Sequence, residues 1–157
     1  KYADYFMLMA YDEHWRTCKT PGSMASLPWV ERAVARTLEE GVPASKLVLG
    51  VPFYMRRWET SAAGGKNEVK SMSLTMPASD ALIQSRGLTP KWLDNEGQYY
   101  YSYAANGKTY EVWAEDSQSI AKKLALTDKY NLAGAAGWRR GQEKQEVWNV
   151  IAAALGK

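Results

Sequence analysis

Few residues in this sequence are equipped for covalent or metal chemistry. There is one histidine, His14, and one cysteine, Cys18. A single imidazole argues against a Ser-His-Asp triad, and a lone thiol makes neither an internal disulfide nor a cysteine-based zinc site. No metal or other cofactor is expected. What the sequence does carry is aromatic residues with a polar edge, seven Trp and ten Tyr against two Phe. Such side chains suit places where one ring face is dry and one edge is wet, as at interfaces and ligand clefts. Three of them end apolar runs or follow them closely: Tyr11 beside Asp12, Tyr54 two residues before Arg56, and Trp138 after a run of Ala and Gly. Taken alone, a Tyr-Asp pair at a strand end is first a hydrogen-bonding pair that starts a loop, and a Trp there is first a core residue. Trp15 serves equally well as a platform at a cleft mouth or as surface packing. Arg56 or its neighbour Arg57 would also serve to cover an adjoining subdomain. His14 reads as a loop hydrogen-bonder, and Glu13 is not promoted to a catalytic acid.

These residues need elements to hold them. Asp4 to Tyr11 and Lys46 to Phe53 are apolar runs too short for helices, and each suits a strand buried on both faces. Between them Pro28 opens a helix where its missing N–H is harmless, Val30, Ala33, Val34 and Leu38 fall at helical spacing, and Gly41 closes it. A third strand, Leu132 to Trp138, follows a helix that begins near Glu115 and Asp116, acids placed where the helix dipole favours them. Ile120, Ala121 and Leu124 form that helix's inner stripe. Glu143 to Leu155 makes the last helix, with Val147, Val150, Ile151 and Ala154 turned inward. Residues 57–112 differ in character. They hold a small-residue loop from Ser61 to Gly65, a short helix from Pro77 to Arg86 stopped by Gly87, and two strand-like runs joined through Asn106-Gly107, a strong hairpin signal. Tyr99, Tyr101 and Tyr103 alternate on one face of that hairpin and are expected to pack the subdomain against the rest.

Strands alternating with helices predict an α/β fold with a parallel sheet. The interval between the second and third strands is about twice that between the first and second, and the excess is comparable in size to the segment 57–112. The expected organisation is therefore β/α units in 1–56, an α+β subdomain in 57–112 and further β/α units in 113–157. Three parallel strands fall short of an eight-fold barrel, which needs about 250 residues. The opening Lys1-Tyr2-Ala3-Asp4 reads as a segment of something longer. The expectation is a C-terminal portion of a (β/α)8 barrel. A net charge of +3 without a basic block gives little basis for nucleic-acid binding. No apolar run approaches the roughly 18 residues of a membrane span.

The three strand ends resemble a known family. Met9-Ala10-Tyr11-Asp12 resembles the Met-x-Tyr-Asp signature of the sixth barrel strand in glycoside hydrolase family 18, the chitinase-like enzymes. Leu49-Gly50-Val51-Pro52-Phe53-Tyr54, with Arg56, resembles the seventh strand and the loop leaving it, after which that family inserts an α+β domain. Gly134-Ala135-Ala136-Gly137-Trp138 resembles the eighth strand. Tyr11-Asp12-Glu13-His14-Trp15 and Trp113-Ala114-Glu115-Asp116 are most similar to the bacterial branch that lyses spore cortex and cell wall. The family's acidic signature, Asp-x-x-Asp-x-Asp-x-Glu, has no match in these 157 residues.

The resemblance implies substrate-assisted retaining hydrolysis of β-1,4-linked N-acetylglucosamine polymers, in peptidoglycan, spore cortex or chitin. Tyr11 would bond the substrate's acetamido carbonyl, Asp12 would stabilise the oxazolinium ion, and Trp138 would form the floor under the scissile sugar. Tyr54 and Arg56 would reach the substrate from the loop, with Trp15 as a further platform. The proton-donating Glu would be absent, so these residues alone are expected to bind without cutting. Two alternatives stand beside this: a lectin-like member of the same fold, and a single-stranded nucleic-acid binder stacking bases on the hairpin tyrosines. The family further implies action outside the cytoplasm, at the cell wall or in the spore. Unpaired edges of a three-stranded sheet favour a dimer.

Overall fold

The computed structural model describes residues 2–63, 66–154 and 156. In chain order the elements are β1 (Phe6–Met9), α1 (Leu27–Glu39), β2 (Leu47–Pro52), β3 (Tyr54–Ala63), β4 (Lys66–Thr75), α2 (Met76–Arg86), β5 (Lys91–Leu93), β6 (Gln98–Ala105), β7 (Lys108–Ala114), α3 (Ser117–Lys129), β8 (Gly134–Trp138) and α4 (Gln145–Ala154). They build two sheets. One is parallel, in the order β1-β2-β8, and the other is antiparallel, in the order β4-β3-β7-β6-β5.

β2 takes the centre of the parallel sheet, where Leu47, Leu49 and Val51 are buried. Val30 and Val34 of α1 and Ile120 and Leu124 of α3 join it in one apolar core. Burial on both faces does not extend to β1, however. Phe6, Met7 and Met9 are 46%, 54% and 67% exposed. β1 is a four-residue strand that pairs with β2 alone among the described strands, so its other edge is unpaired there. β8 is half-buried and its last two residues are exposed.

Helix limits follow their end residues. α1 starts at Leu27 with Pro28 in its first turn, and Gly41 follows at φ 91°. α2 is capped by the Thr75 hydroxyl and ends at Gly87, φ 57°. At α3 the expectation needs correcting. Asp116 is the N-cap and forms a reciprocal box with Ser119, so Glu115 lies before the helix and is buried rather than placed on its first turn. Ala121 is exposed, because the inner face runs through Ile120, Leu124 and Thr127 at helical spacing and Ala121 falls outside it.

The antiparallel sheet is larger than the sequence pattern indicated. β3 and β4 pair in register from Tyr54↔Thr75 to Ala63↔Lys66. Ser61 to Ala63, expected as loop, belong to β3, and the rest of that expected loop, Gly64 and Gly65, lies outside the described residues. The Asn106-Gly107 turn has φ 51° and 70°, the pair of positive values that a two-residue hairpin requires. Tyr101 and Tyr103 do not pack this sheet onto the parallel one. They face α2, where Tyr101 bonds Ser79 at 2.8 Å and Tyr103 stacks on Tyr110 beneath Arg86. Tyr99 packs edge-on to Trp92 and reaches Gln118 of α3.

At the C-terminal ends of the parallel strands the packing is tight. A side chain at Gly137 would collide with the Phe53 ring, which lies edge-on to Trp148 of α4. Gly50 sits so close to the Leu8 carbonyl that a Cβ would approach it to 2.8 Å.

Candidate functional site

Parallel register sets where the aromatic and charged residues meet. Met9 pairs with Gly50, and Pro52 with Trp138. The residues just beyond these pairs, Tyr11 and Asp12 after β1, Tyr54 at the start of β3 and Trp138 at the end of β8, therefore share one edge of the parallel sheet.

Four of the expected residues meet directly. Arg56 Nη2 donates to Asp12 Oδ1 at 2.8 Å, and the Tyr54 hydroxyl approaches the same oxygen at 3.5 Å. Tyr11 and Tyr54 stand edge to face with ring centroids 6.4 Å apart. The Arg56 side chain is 10% exposed and that of Asp12 is 41% exposed, so the pair has one end in the protein and one at its surface. Asp12 has φ 66°, in the left-handed region that Asp enters more readily than most side chains. This turns the chain sharply after β1 and lays the carboxylate against Arg56.

Local charge and burial fix the state of the two phenols. Burial, with the Asp12 charge adding to it, pushes Tyr54 up to about 12 against a smaller opposing pull from Arg56. Tyr11 is raised by the same two causes, burial first. Both hydroxyls stay protonated at neutral pH and remain donors. An ion pair flanked by two O–H donors suits a ligand with a carbonyl acceptor that gains positive charge as it reacts.

Trp138 is 55% exposed on the same strand-end edge. Its carbonyl accepts from the Phe53 amide at 2.6 Å, and the Trp138–Arg139 peptide is cis. Trp15 is not joined to the Asp12 group. It is 57% exposed, and its indole N–H bonds Thr17 within its own loop. Glu13 is engaged elsewhere, accepting from the Ser26 amide at the start of α1, and His14 Nδ1 lies 2.8 Å from the Ser23 carbonyl. Among the described residues no group of three or more His, Cys, Asp or Glu is placed to hold a metal.

Residues 1–143 match the family described as Glycosyl hydrolases family 18. The chain belongs to that family. Its relatives fall on two sides of it. The uncharacterized glycosylase YvbX of Bacillus subtilis (strain 168) is 30% identical over 159 residues, covering 96% of this chain and 42% of YvbX. The cortical fragment-lytic enzyme of the same organism is 26% identical over 94% of this chain and 34% of its own length. Among solved structures, a chitinase from Chromobacterium violaceum ATCC 12472 superposes with a TM-score of 0.84 at 30% identity, over 99% of this chain and 46% of that one. The chain thus spans less than half the length of these family 18 proteins. No described helix is long and apolar enough to cross a membrane.

Sequence reasoning did not find the residues behind the site. Trp58, Gln98 and Glu115 are fully or almost fully buried and hold the loop that follows Asp12. Glu115 carried a signal, in Trp113-Ala114-Glu115-Asp116, but not one that tied it to Gln98, and Trp58 lies on a strand that the sequence pattern did not reveal.

Proposed function

We infer that this chain forms the acetamido-binding side of a glycosidase cleft acting on β-1,4-linked N-acetylglucosamine polymers, chitin or the peptidoglycan of cell wall and spore cortex. The observation that carries this reading is the Asp12–Arg56 ion pair at 2.8 Å with Tyr11 and Tyr54 beside it, at the C-terminal ends of parallel strands. In a barrel that end is where substrates bind. The three β/α units then belong to a (β/α)8 barrel, in 1–56 and 113–157, with 57–112 as its α+β insertion.

The chemistry is substrate-assisted. The sugar's acetamido oxygen attacks the anomeric carbon as a glutamic acid protonates the departing glycosidic oxygen. Water then opens the oxazolinium ion and returns a proton to that acid. Tyr11 donates to the acetamido carbonyl and Asp12 stabilises the cationic ring. Arg56 and Tyr54 hold Asp12 and reach the neighbouring sugar. Trp138 offers its face to the axial C–H groups, with Trp15 further along the cleft. The protonating Glu comes from outside residues 1–157, so this chain alone binds the sugar without cutting it. Action at the cell wall, in the spore or outside the cell accords with such polymers. In residues 1–157 taken alone, where no barrel closes, the edge of β1 that pairs with no described strand is a pairing surface for a second copy.

The test is made on the full-length protein, with N-acetylglucosamine oligomers and cortex peptidoglycan assayed side by side. Release of N-acetylglucosamine-ended fragments from either supports the reading, with Asp12→Ala lowering kcat at least about a hundredfold. Trp138→Ala is expected to weaken binding of the oligomer about tenfold while leaving stability almost unchanged. Binding without cleavage of both substrates moves the protein to a lectin-like role. Neither binding nor cleavage overturns the reading.

A further inference from the structure

Arg56 grips the Asp12 carboxylate, but the backbone beyond Asp12 is held by a different set of groups. The Glu13 amide donates to the Met24 carbonyl at 2.8 Å, closing the neck of the loop between β1 and α1. The returning limb of that loop, Gly22 to Ala25, is buried. Two side chains of the antiparallel sheet hold it. The Trp58 indole N–H donates to the Gly22 carbonyl at 2.8 Å. The Ser23 hydroxyl donates to Gln98 Oε1 at 2.5 Å and accepts from the Ala25 amide at 3.0 Å.

Gln98 is itself fixed from behind. It is 0% exposed, and its Nε2 donates to Glu115 Oε1 at 2.7 Å. The other Glu115 oxygen accepts from Ser119 at 2.6 Å and from the fully buried Lys123 ammonium at 2.9 Å. An amide has one donor end and one acceptor end. A carboxylate placed on the donor side forces the acceptor toward Ser23. Burying such a row of polar groups is a weak source of stability, since apolar replacements of similar volume often do as well. What the row provides is direction. It runs from α3 through β6 to the loop whose other limb begins at Asp12, a residue whose left-handed φ lies between the Arg56 contact and the Glu13–Met24 bond.

We propose that Gln98, oriented by Glu115, is a positioning residue for Asp12: by holding Ser23 it sets the limb whose Met24 carbonyl anchors the residue after Asp12. This rests on the reading of Asp12 as the site carboxylate. The antiparallel sheet is thereby a part of the catalytic geometry as well as a neighbour of it.

The test uses Ser23→Ala, which removes a single hydroxyl, and Gln98→Leu, which keeps the volume, in the full-length protein acting on the N-acetylglucosamine tetramer. Both are expected to lower kcat about tenfold with KM within about twofold, as a misplaced group does. On an Asp12→Asn background neither should lower kcat further, although both still lower Tm. Amide exchange at Glu13 should quicken about tenfold in each variant. An additive loss with Asp12→Asn, or Glu13 exchange unchanged by Ser23→Ala, overturns the proposal. If the unaltered protein cuts and binds nothing, the reading of the site fails. The Glu13 exchange still decides whether Gln98 governs the backbone there.

Discussion

The two sheets differ in what covers them. In the parallel sheet only β2 is well buried, while β1 leaves Phe6, Met7 and Met9 exposed and β8 ends in an exposed Trp138. The antiparallel sheet is closed locally, while Met72 of β4 is exposed. Tyr101 lies under α2, and Trp58 and Gln98 are shut against the loop after Asp12. Yet Tyr11, Asp12 and Trp138 ride on the open sheet. The lesson is a division of labour: the ends of the parallel strands present the groups that meet a ligand, and the closed part of the sheet beside them supplies the rigidity those groups lack. Arg56 stands at the junction, in a strand of the closed sheet and in contact with a carboxylate of the open one.

Unequal losses of stability would sharpen this contrast. Trp58→Ala is expected to remove about 4 kcal/mol, through a large cavity and the lost bond to Gly22. Trp138→Ala, at the exposed end of β8, should stay within about 0.5 kcal/mol. Chemical denaturation reads both, and equal losses would break the comparison.

Next in size is Lys123→Met, expected to remove about 3 kcal/mol at neutral pH by leaving Glu115 buried without its cation. Burial already raises Glu115 above the usual carboxylate range, against the pull of Lys123 and Ser119. Without Lys123 it rises further. A raised folded-state value means that stability is fully present below the unfolded carboxylate's titration and is lost as pH climbs through the folded one. The variant should therefore recover toward the unaltered protein in mild acid, as denaturation at two pH values would show.

The smallest effect concerns alkali. Tyr54 and Tyr101 are each pushed up to about 12, burial being the first cause. Unfolded phenols titrate near about 10. Between these values the unfolded chain releases protons that the folded one keeps, so stability is intact below about pH 10 and falls as pH rises toward 12. Tyr101→Phe should flatten part of that slope. An unchanged slope would show that the closed sheet is wetter around Tyr101 than its burial indicates.

Much of the frame was legible because its signals are local. Pro28 and Gly41 bound α1, Gly87 stops α2, and Asn106-Gly107 turns one strand onto the next. The hairpin of β3 and β4 was not legible, because Arg56, Arg57, Glu59, Lys70 and Ser71 dilute any apolar alternation, and pairing across the sheet fixes these strands instead. The exposure of β1 was hidden for another reason: an apolar run says that a strand is fit for burial, and β2 is the one described strand that pairs with it. At the site, Tyr11, Asp12, Tyr54 and Arg56 were singled out by the resemblance of their motifs to a family's strand ends, since their places after apolar runs alone pointed to loop-start bonding and packing. Ser23 and Gln98 stand 75 residues apart, and no local spacing announces such a bond.

Gly137 also bears on how this surface is free to change. Its place against the Phe53 ring admits no side chain, and Phe53 is in turn backed by Trp148. The residue beside it, Trp138, looks outward and meets no such wall. Adjacent positions therefore have opposite fates under selection. One is frozen by its neighbour whatever the ligand, and the next is open to drift or to retuning. A library randomised over both should return glycine at 137 from every screen for folded protein, while the residue recovered at 138 records what the screen asked the protein to hold.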